Sequence, residues 1–289
     1  MQNTGRADLH IHTNVSDGFL SPAKILVKLK NSGISTIAIT DHDSVAALDN
    51  ANRRSSMFNI RLIPGVELSA EYHGKDLHFL GYFIDHHNKR FLDFLYLFRR
   101  RRYQRAQGML EKLDKLGMHI TMDQVAAIAF NGPIGRPHIA DALINAGWAD
   151  SRDDAFEKYL GYNGPVYVEK YRITPLEVFD LIHSIGGAAF LAHPGTGCSD
   201  GAIRELHGAG MDGLEIIHPK HTPEMVEHYK SLADELSILT CGGSDFHGSP
   251  DEEDVIGKYT IDEKSVDGIE KYCLSKRKEW RVDVKDYPD

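Results

Sequence analysis

Short apolar runs of strand length recur along this sequence, and most of them end in histidine or acidic residues. STIAIT ends in Asp41, His42 and Asp43, GAAFLA ends in His193, and SILTCGG leads into Asp245. Helical patterns separate most of the seven runs, which predicts parallel βα units. Because the carboxyl ends of parallel strands meet at one rim of an α/β barrel, we expect these polar side chains to share one pocket.

Local signals place helices and strands around these runs. Ser21 is a predicted N-cap, and Pro22 follows it in the first turn of a helix. A second helix is predicted over Pro175–Ser184, before a pair of glycines. RLIPGVELSA and DLHFLGYFID are predicted strands that carry Glu67 and His78 at or near their ends.

The middle of the sequence, residues 98–172, has helical patterns and no convincing strand. We therefore predict a small helical insertion between two parts of a barrel, residues 1–97 and 173–289. Such an insertion is placed to act as a lid or as a wall that selects substrates. The alternative is that this section merely extends the core.

The composition, with 42% hydrophobic and 26% charged residues, is ordinary for a globular protein. The net charge of −9 argues against a broad nucleic-acid surface, which is usually basic. An anionic substrate stays compatible, because divalent cations bound to carboxylates reverse the local field. No apolar run approaches the roughly 18 residues of a membrane span. Three cysteines without framework spacing and an N-terminus without a secretory signal predict a cytoplasmic protein.

Histidines are unusually frequent, with 16 in 289 residues. In the predicted strand Asp8–His12, the period of two places His10 and His12 on one face, as in a metal-binding pair. Such a pair alone is a weak signal for a metal site. However, six more histidines and carboxylates lie at strand ends, and Asp17 lies in a turn. The alternative, that these residues are ordinary core histidines and surface carboxylates, is therefore a poor one. The nine candidate metal ligands are His10, His12, Asp17, His42, Glu67, His78, His193, Asp245 and His247.

The motifs DLHIHTNVSDG, TDHD, LAHP and GGSDFH, with Glu67 and His78 between them, resemble those of the PHP (polymerase and histidinol phosphatase) superfamily. The resemblance covers residues 8–83 and 187–247, and its five motifs occur in the expected order. It implies an α/β fold, a distorted (β/α)7 TIM-like barrel of the PHP type with a small helical insertion. It also implies a site for three divalent metal ions, which would be Mn, Fe or Zn.

By this resemblance, Glu67 bridges two of the three metals. Imidazole and carboxylate donors suit Mn, Fe and Zn alike. A bound metal lowers the pKa of water from 15.7 to about 7, so metal-activated hydroxide can attack a phosphate ester without a serine or cysteine nucleophile. The implied ligand sets are His10, His12, Glu67 and Asp245 for the first metal, Glu67, His78 and His193 for the second, and Asp17, His42 and His247 for the third.

The segment GPIGRPHIADAL holds Arg136 and His138 where a helix would begin. A guanidinium group and the N–H groups of a helix N-terminus both bind phosphate, so we predict that Arg136 and His138 contact substrate. The segment resembles the PHP branch of nucleoside 3′,5′-bisphosphate phosphatases and 5′→3′ oligoribonucleotide exonucleases. Alternatively, Arg136 caps a neighbouring helix. His218, at a strand end, is a candidate phosphate contact or catalytic acid, with a packing role as the alternative, and Asp17 is the other candidate catalytic residue.

Other polar residues receive simpler interpretations. The arginines at 99–102 and 105 form a basic run, which is usually a solvated helix face and alternatively guides a polynucleotide. Cys198 and Cys241 are interpreted as core or loop thiols. The other eight histidines, among them His86, His87 and His221, are interpreted as surface or capping residues.

We predict a metal-dependent phosphoesterase that removes the 3′-phosphate of a nucleoside 3′,5′-bisphosphate and leaves the 5′-monophosphate. The alternatives are a 5′→3′ exonuclease acting on short RNA, a phosphatase similar to histidinol phosphatase and, from a different class, a non-catalytic metal-binding regulatory module. The expected partner is a small phosphorylated substrate, a nucleotide or short RNA. Neither a membrane nor an obligatory protein partner is predicted.

Overall fold

A sheet of eight strands forms the centre of the computed structural model and nearly closes into a barrel. The strands are β1 (Arg6–Asp8), β2 (Ile34–Ile39), β3 (Arg61–Tyr72), β4 (Lys75–Tyr82), β5 (Ala188–Leu191), β6 (Gly213–Ile217), β7 (Leu239–Gly242) and β8 (Ile261–Asp262). Their order across the sheet is β7-β6-β5-β4-β3-β2-β1-β8. The structure describes residues 5–30, 32–129, 132–169, 171–249 and 255–280.

Backbone hydrogen bonds between the segments after β1 and after β7 bring the two sides of the sheet together. The Leu9 N–H donates to the Gly242 carbonyl at 3.2 Å, and the His12 N–H donates to the Phe246 carbonyl at 2.9 Å. The pairing is parallel. Both segments carry candidate metal ligands, so closure of the barrel brings these ligands close to one another.

The junction between the segments after β1 and after β7, here called the seam, is held by a close backbone approach and a buried carboxylate. A Cβ atom at Gly243 would lie 2.3 Å from the His10 backbone nitrogen, so a side chain there would collide with the main chain. The Asp8 carboxylate accepts hydrogen bonds from the N–H groups of Ser244 at 2.9 Å and Gly257 at 3.1 Å. Burial raises the pKa of Asp8 to about 6. Asp8 thus ties β1 to the segment that follows β7.

The barrel-shaped sheet with its surrounding helices confirms the predicted fold class, but the prediction of parallel βα units is wrong for β4. This strand runs antiparallel to both β3 and β5. Only His73 and Gly74 separate β3 from β4, and their φ angles are 50° and 79°. A two-residue hairpin of this kind joins antiparallel strands, whereas parallel strands need a long crossover. His78 therefore comes from the interior of β4 and not from the end of a parallel strand.

Ten α-helices accompany the sheet in the described part of the chain. They are α1 (Pro22–Leu29), α2 (Leu48–Ser55), α3 (Lys89–Lys115), α4 (Met122–Ile128), α5 (Arg136–Asn145), α6 (Arg152–Ala155), α7 (Pro175–Ser184), α8 (Asp200–Gly208), α9 (Pro223–Leu236) and α10 (Glu263–Trp280). The predicted N-cap is confirmed, since Ser21 Oγ accepts the Lys24 N–H at 3.4 Å. The predicted bounds of α7 are also confirmed. None of the described helices is long and apolar enough to cross a membrane.

The long helix α3 belongs to two apolar clusters. Phe91 and Phe98 in its first half pack with residues of the barrel. Met109 and Leu113 in its second half pack with a separate cluster, whose buried residues all lie between 106 and 166. The helical character predicted for the middle of the chain is therefore observed in its described residues. The domain bounds at 98 and 172 stay a prediction.

An ion pair ties α3 to the barrel. The Arg102 guanidinium donates to the Asp43 carboxylate and, at 3.1 Å, to Ser69 Oγ. Asp43 is buried, directly follows the candidate ligand His42 and also accepts the Ser69 N–H at 3.2 Å. Arg102 is thus the partner of a buried carboxylate, and its interpretation as part of a solvated helix face is wrong.

Replacing Arg102 with leucine is expected to lower the free energy of unfolding by about 3 kcal/mol, because the buried Asp43 carboxylate would lose its counter-charge. Arg100→Leu is the matched control, since Arg100 is exposed on the same helix and should contribute less than about 0.5 kcal/mol. Urea denaturation followed by circular dichroism measures both values. Equal effects of the two variants would show that the ion pair contributes nothing to stability.

Candidate metal centre

His10 and His12 follow β1, and their rings are fully buried side by side. Their Nε2 atoms are 3.1 Å apart. Oε2 of Glu67 lies 3.2 Å from His10 Nε2 and 3.1 Å from His12 Nε2. Oδ1 of Asp245 lies 3.3 Å and 3.2 Å from the same two nitrogens. Donor atoms from three distant segments of the chain thus converge on one small volume.

Glu67 is buried at the centre of this arrangement, and its two oxygens face different histidines. Oε1 lies 3.1 Å from His78 Nδ1 and 3.2 Å from His193 Nε2. Oε2, which faces His10 and His12, also lies 3.3 Å from His42 Nδ1. A carboxylate with histidines on both oxygens has the surroundings that a bridge between two metal ions requires.

Asp17 brings together a third group of donors. Its Oδ1 lies 3.5 Å from His247 Nε2 and 3.6 Å from His12 Nδ1, and its Oδ2 lies 3.7 Å from His42 Nε2. The structure therefore gathers all nine predicted ligand residues in one place, here called the His/carboxylate cluster. Its members are His10, His12, Asp17, His42, Glu67, His78, His193, Asp245 and His247.

The donors of the His/carboxylate cluster fit divalent metal ions. Imidazole nitrogens and carboxylate oxygens are the ligands that Zn and related transition metals use in proteins. Three buried atoms, His12 Nδ1, His42 Nδ1 and Asp17 Oδ1, have no hydrogen-bond partner among the described residues. Because buried polar atoms in proteins ordinarily have partners, these three atoms are well placed to bind metal.

Electrostatic interactions keep the carboxylates of the cluster charged. Burial would raise the pKa of Glu67, but the rings of His42 and His10 hold it well below its usual range. Burial would likewise raise the pKa of Asp245, but His10 and the other neighbouring histidines hold it well below its usual range. Burial lowers the pKa of His12, but Asp245 and Glu67 outweigh that effect and raise it to about 10. Metal binding at neutral pH must therefore displace a proton from His12.

Unusual backbone conformations and a buried carboxylate position these ligands. His193 and Asp245 have φ angles of 31° and 48°, in a region that L-residues adopt at a cost of roughly 1–3 kcal/mol and that is frequent at functional sites. Asp41 is buried and accepts a hydrogen bond from Ser16 Oγ at 2.6 Å. It thereby holds the loop that leads into Asp17.

A cleft of about 1050 Å³ lies between the barrel and helices α4 to α6. One wall includes members of the His/carboxylate cluster, and the opposite wall comes from the helices. The lining residues include Asp17, Phe19, His218, Lys220, Asp245 and His247 from the barrel side and Ile128, Pro137, His138, Asp141, Ile144 and Arg152 from the helical side. The cluster is therefore accessible to a substrate of considerable size.

A sequence model of the PHP domain matches residues 8–169, more than half of the chain. The chain belongs to the PHP domain family. This assignment confirms the resemblance inferred from the motifs, and the matched residues include six members of the His/carboxylate cluster, from His10 to His78.

Relatives with assigned activities resemble most of this PHP domain protein. The 5'-3' exoribonuclease Rnm of Escherichia coli is 34% identical over 250 residues, which are 83% of this chain and 84% of the relative. The 3',5'-nucleoside bisphosphate phosphatase of Chromobacterium violaceum is 28% identical over 246 residues, which are 83% of this chain and 86% of the relative. A solved structure from Bifidobacterium adolescentis, assigned as a metal-dependent phosphoesterase, has a TM-score of 0.80 and 31% identity, and the match covers 91% of this chain and 94% of that chain. This PHP domain protein is therefore a metal-dependent phosphoesterase, as predicted.

Glu215 is not among the predicted site residues, although it contacts two candidate ligands of the PHP domain. Its Oε1 lies 2.9 Å from His10 Nδ1, and its Oε2 accepts the His193 N–H at 2.7 Å. A carboxylate behind a metal-binding imidazole fixes the tautomer and the orientation of the ring. The available signal is an acidic residue in the middle of the apolar run GLEII, where it is fully buried on β6.

His218 and His138 both line the cleft and are both buried. His218 Nδ1 accepts the Lys220 N–H at 3.1 Å, so its Nε2 carries the proton that it directs to Asp245 Oδ2, 3.2 Å away. His138 Nδ1 accepts the Gly135 N–H at 3.0 Å, which leaves its Nε2 as the donor. Contact of either ring with phosphate stays a prediction.

Arg136 is not among the residues that line the cleft. Its guanidinium carbon lies 5.3 Å and 5.0 Å from the ring centroids of Phe156 and Tyr162. It donates to the Leu160 carbonyl at 3.4 Å and lies 3.7 Å from Asp76 Oδ2. The contact with Leu160, at the end of a helical turn, is the kind that the capping alternative predicts, and the phosphate-binding role stays a prediction.

Replacing Glu215 with glutamine is expected to weaken metal binding roughly 10- to 100-fold, because one of its two acceptor oxygens would become an NH₂ donor. Glu235→Gln is the matched control, since Glu235 pairs with Arg204 on the surface. Competition with a chelator of known affinity, followed by elemental analysis, measures the change. Unchanged affinity in Glu215→Gln would mean that His10 does not depend on Glu215 for its orientation.

Proposed function

We propose that this PHP domain protein hydrolyses the phosphate ester at the 3′ oxygen of a nucleotide that also bears a 5′-phosphate. The leading substrate is short RNA, from which nucleotides are removed one at a time from the 5′ end. The second candidate is a nucleoside 3′,5′-bisphosphate, which loses its 3′-phosphate. The observation that carries the proposal is the position of the His/carboxylate cluster in the wall of a cleft at the upper end of ligand-site volumes.

The relatives support both candidate substrates, and the same type of bond is broken in both. The exoribonuclease of Escherichia coli has the higher identity, 34% against 28% for the bisphosphate phosphatase, and we place RNA first for this reason. Both reactions break the bond between phosphorus and the 3′ oxygen of a 5′-phosphorylated nucleotide. RNA yields nucleoside 5′-monophosphates, whereas a bisphosphate yields a 5′-monophosphate and inorganic phosphate.

We propose that three divalent ions, Mn, Fe or Zn, bind in the His/carboxylate cluster. When bound, such ions supply a nucleophile from water and neutralise phosphate charge. Asp17, Asp245 and His247 belong to the His/carboxylate cluster and also line the cleft, so the scissile phosphate would bind beside these three residues, with Asp17 as the catalytic carboxylate. The proposed ligand sets are His10, His12, Glu67 and Asp245, then Glu67, His78 and His193, then Asp17, His42 and His247.

The remaining walls of the cleft suit the other parts of a nucleotide. Phe19 is 45% exposed, lines the cleft close to Asp17, and offers a flat apolar surface for a base. Ile144 on α5 adds apolar surface from the opposite side. Lys220 lines the same cleft and brings a positive charge for a phosphate. The helices of residues 98–172 would thus act as the substrate-selecting wall.

Two histidines are proposed to assist at the phosphate. Burial lowers the pKa of His138, so its ring is neutral at pH 7 and donates a single N–H from Nε2. We propose that this N–H binds a substrate phosphate from the helical side. His218 has a single N–H, on Nε2, and would contact phosphate from the barrel side by donating this N–H to phosphate instead of to Asp245.

Short RNA with a 5′-phosphate is expected to release nucleoside 5′-monophosphates when Mn²⁺ is supplied. The same RNA with a 5′-hydroxyl should react more slowly, because Lys220 in the cleft would lose its phosphate partner. Chromatography of the products, with a nucleoside 3′,5′-bisphosphate assayed in parallel, separates the two candidate substrates.

Two aspartate-to-asparagine variants, one in the His/carboxylate cluster and one on the surface, control this assay. Asp245→Asn should abolish turnover on every substrate, whereas the exposed Asp234→Asn should not. Release of phosphate from the bisphosphate without shortening of RNA would favour the second candidate. No hydrolysis of either substrate with Mn, Fe or Zn supplied would contradict the proposal and favour a non-catalytic regulatory module.

Arg136→Ala tests the proposed phosphate contact of Arg136 in the same assay. Loss of a charged hydrogen-bonding pair costs on the order of 2–3 kcal/mol, so the KM for a bisphosphate should rise roughly 30- to 150-fold. Hydrolysis of p-nitrophenyl phosphate, which has a single phosphate, should change much less, and metal content should not change. Equal losses on both substrates would show that Arg136 instead stabilises the helical segment through Phe156 and Leu160.

A further inference from the structure

We infer a further metal site outside the His/carboxylate cluster, formed by Asp49, His86 and His87 and here called the surface triad. Asp49 lies in the first turn of α2, and the two histidines lie in the segment between β4 and α3. The sequence alone places these histidines only as surface or capping residues. The inferred ligand is a divalent transition-metal ion of the zinc class.

Both histidine rings of the surface triad face the same carboxylate oxygen. Asp49 Oδ1 lies 3.2 Å from His86 Nε2 and 3.3 Å from His87 Nε2. The two ring centroids are 4.1 Å apart. In a tetrahedral zinc site with bonds of about 2.0–2.1 Å, neighbouring ligand atoms are roughly 3.3 Å apart. The two distances from Asp49 Oδ1 therefore match this spacing, and the ligand atoms of all three residues lie within 4.8 Å of one another.

The same distances occur in the His/carboxylate cluster, where Glu67 Oε2 lies 3.1–3.3 Å from three histidine nitrogens. Single pairs of one histidine and one carboxylate vary more widely, and His73 and Glu205 are 3.9 Å apart. His228 and Asp200, by contrast, are 2.9 Å apart. Within the described residues, the triad is the one place outside the cluster where three histidine or acidic side chains bring ligand atoms within 4.8 Å of one another.

A turn between β4 and α3 aims the two rings in one direction. Asp85 Oδ1 accepts the His87 N–H at 3.1 Å, and the Asp85 carbonyl accepts the Asn88 N–H at 3.1 Å. Asn88 in turn caps α3 by accepting the Phe91 N–H at 3.2 Å. Consecutive side chains of an extended segment would point to opposite sides, so this turn is what makes a pair of ligands from adjacent residues.

The chemistry of the surface triad selects the class of ion. Two imidazoles and one carboxylate suit Zn²⁺, Co²⁺ or Ni²⁺, whereas Mg²⁺ and Ca²⁺ prefer oxygen ligands. Side-chain exposures of 54% for Asp49 and 67% for His87 leave the remaining coordination positions open to water. Arg99 lines the same small cavity, and its positive charge weakens cation binding. The triad should therefore bind metal less tightly than the His/carboxylate cluster.

An ion in the surface triad would join α2 to the segment that starts α3. The loop before α2 carries His42 and Asp43, and α3 leads into the helical section of the chain. The expected consequence is a gain in stability on metal binding, because a ligand that binds only the folded state stabilises it. Turnover does not depend on this site.

Equilibrium dialysis of the full chain against Zn²⁺, followed by elemental analysis, tests the site. His87→Ala is expected to bind one equivalent less zinc than the unmodified chain. Asp49→Asn should lose the same equivalent. His228→Ala is the matched control, because His228 is an exposed histidine beside one carboxylate and has no third ligand nearby in the described part of the chain. The zinc content of this variant should equal that of the unmodified chain.

Thermal unfolding without metal verifies that the variants are folded, and phosphoesterase activity with Mn²⁺ should be the same in all of them. Zinc should raise the unfolding temperature of His87→Ala by less than that of the unmodified chain. Equal zinc content in His87→Ala and the unmodified chain would overturn the inference. A loss of more than one equivalent together with activity would also overturn it, because the substitution would then act through the His/carboxylate cluster.

Discussion

The buried carboxylate of Glu67 is the interaction on which the rest of the structure depends. The parallel pairing of β3 with β2 ends at Pro64, and Glu67 lies just beyond it, where β3 pairs with β4 on one side and forms a parallel bridge to His42 on the other. A buried carboxylate is unfavourable unless opposite charge or metal surrounds it. Histidines from four separate segments meet this need, so the site is built by parts of the chain that only the folded barrel brings together.

Support for this centre extends outward through further buried carboxylates. Glu215 holds the His10 ring, Asp41 holds the loop before Asp17, and Asp8 holds the seam between β1 and β7. Asp43, next to His42, connects the centre to α3 through its ion pair with Arg102. The helical section that forms one wall of the cleft is thereby coupled to the segment that supplies His42.

Much of the candidate site was predictable, because its ligands lie in short local motifs next to apolar runs. The motifs TDHD, LAHP and GGSDFH can be recognised in the sequence without knowledge of the fold. Glu215 was harder to predict, since nothing in the spacing relates it to His10, which is 205 residues away. Arg102 lies in a run of identical residues, and the pattern does not tell which of them faces the barrel.

The direction of β4 was missed for a different reason. The turn at His73 and Gly74 lacks the Asn-Gly or Asp-Gly pair that is the strongest sequence signal for a tight hairpin. A strand was therefore recognised, but its antiparallel pairing was not. β8 has only two residues, too few for any periodicity to show.

Counting the bound metal ions is the most direct test of the claim that Glu67 is shared between them. Elemental analysis would use protein purified without chelator and carrying His87→Ala, so that the surface triad does not contribute. Three metal ions per chain are expected, and Glu67→Gln in the same background should lose at least two of them while circular dichroism shows a folded barrel. A single metal ion in the parent, or a loss of no more than one in Glu67→Gln, would contradict a shared Glu67.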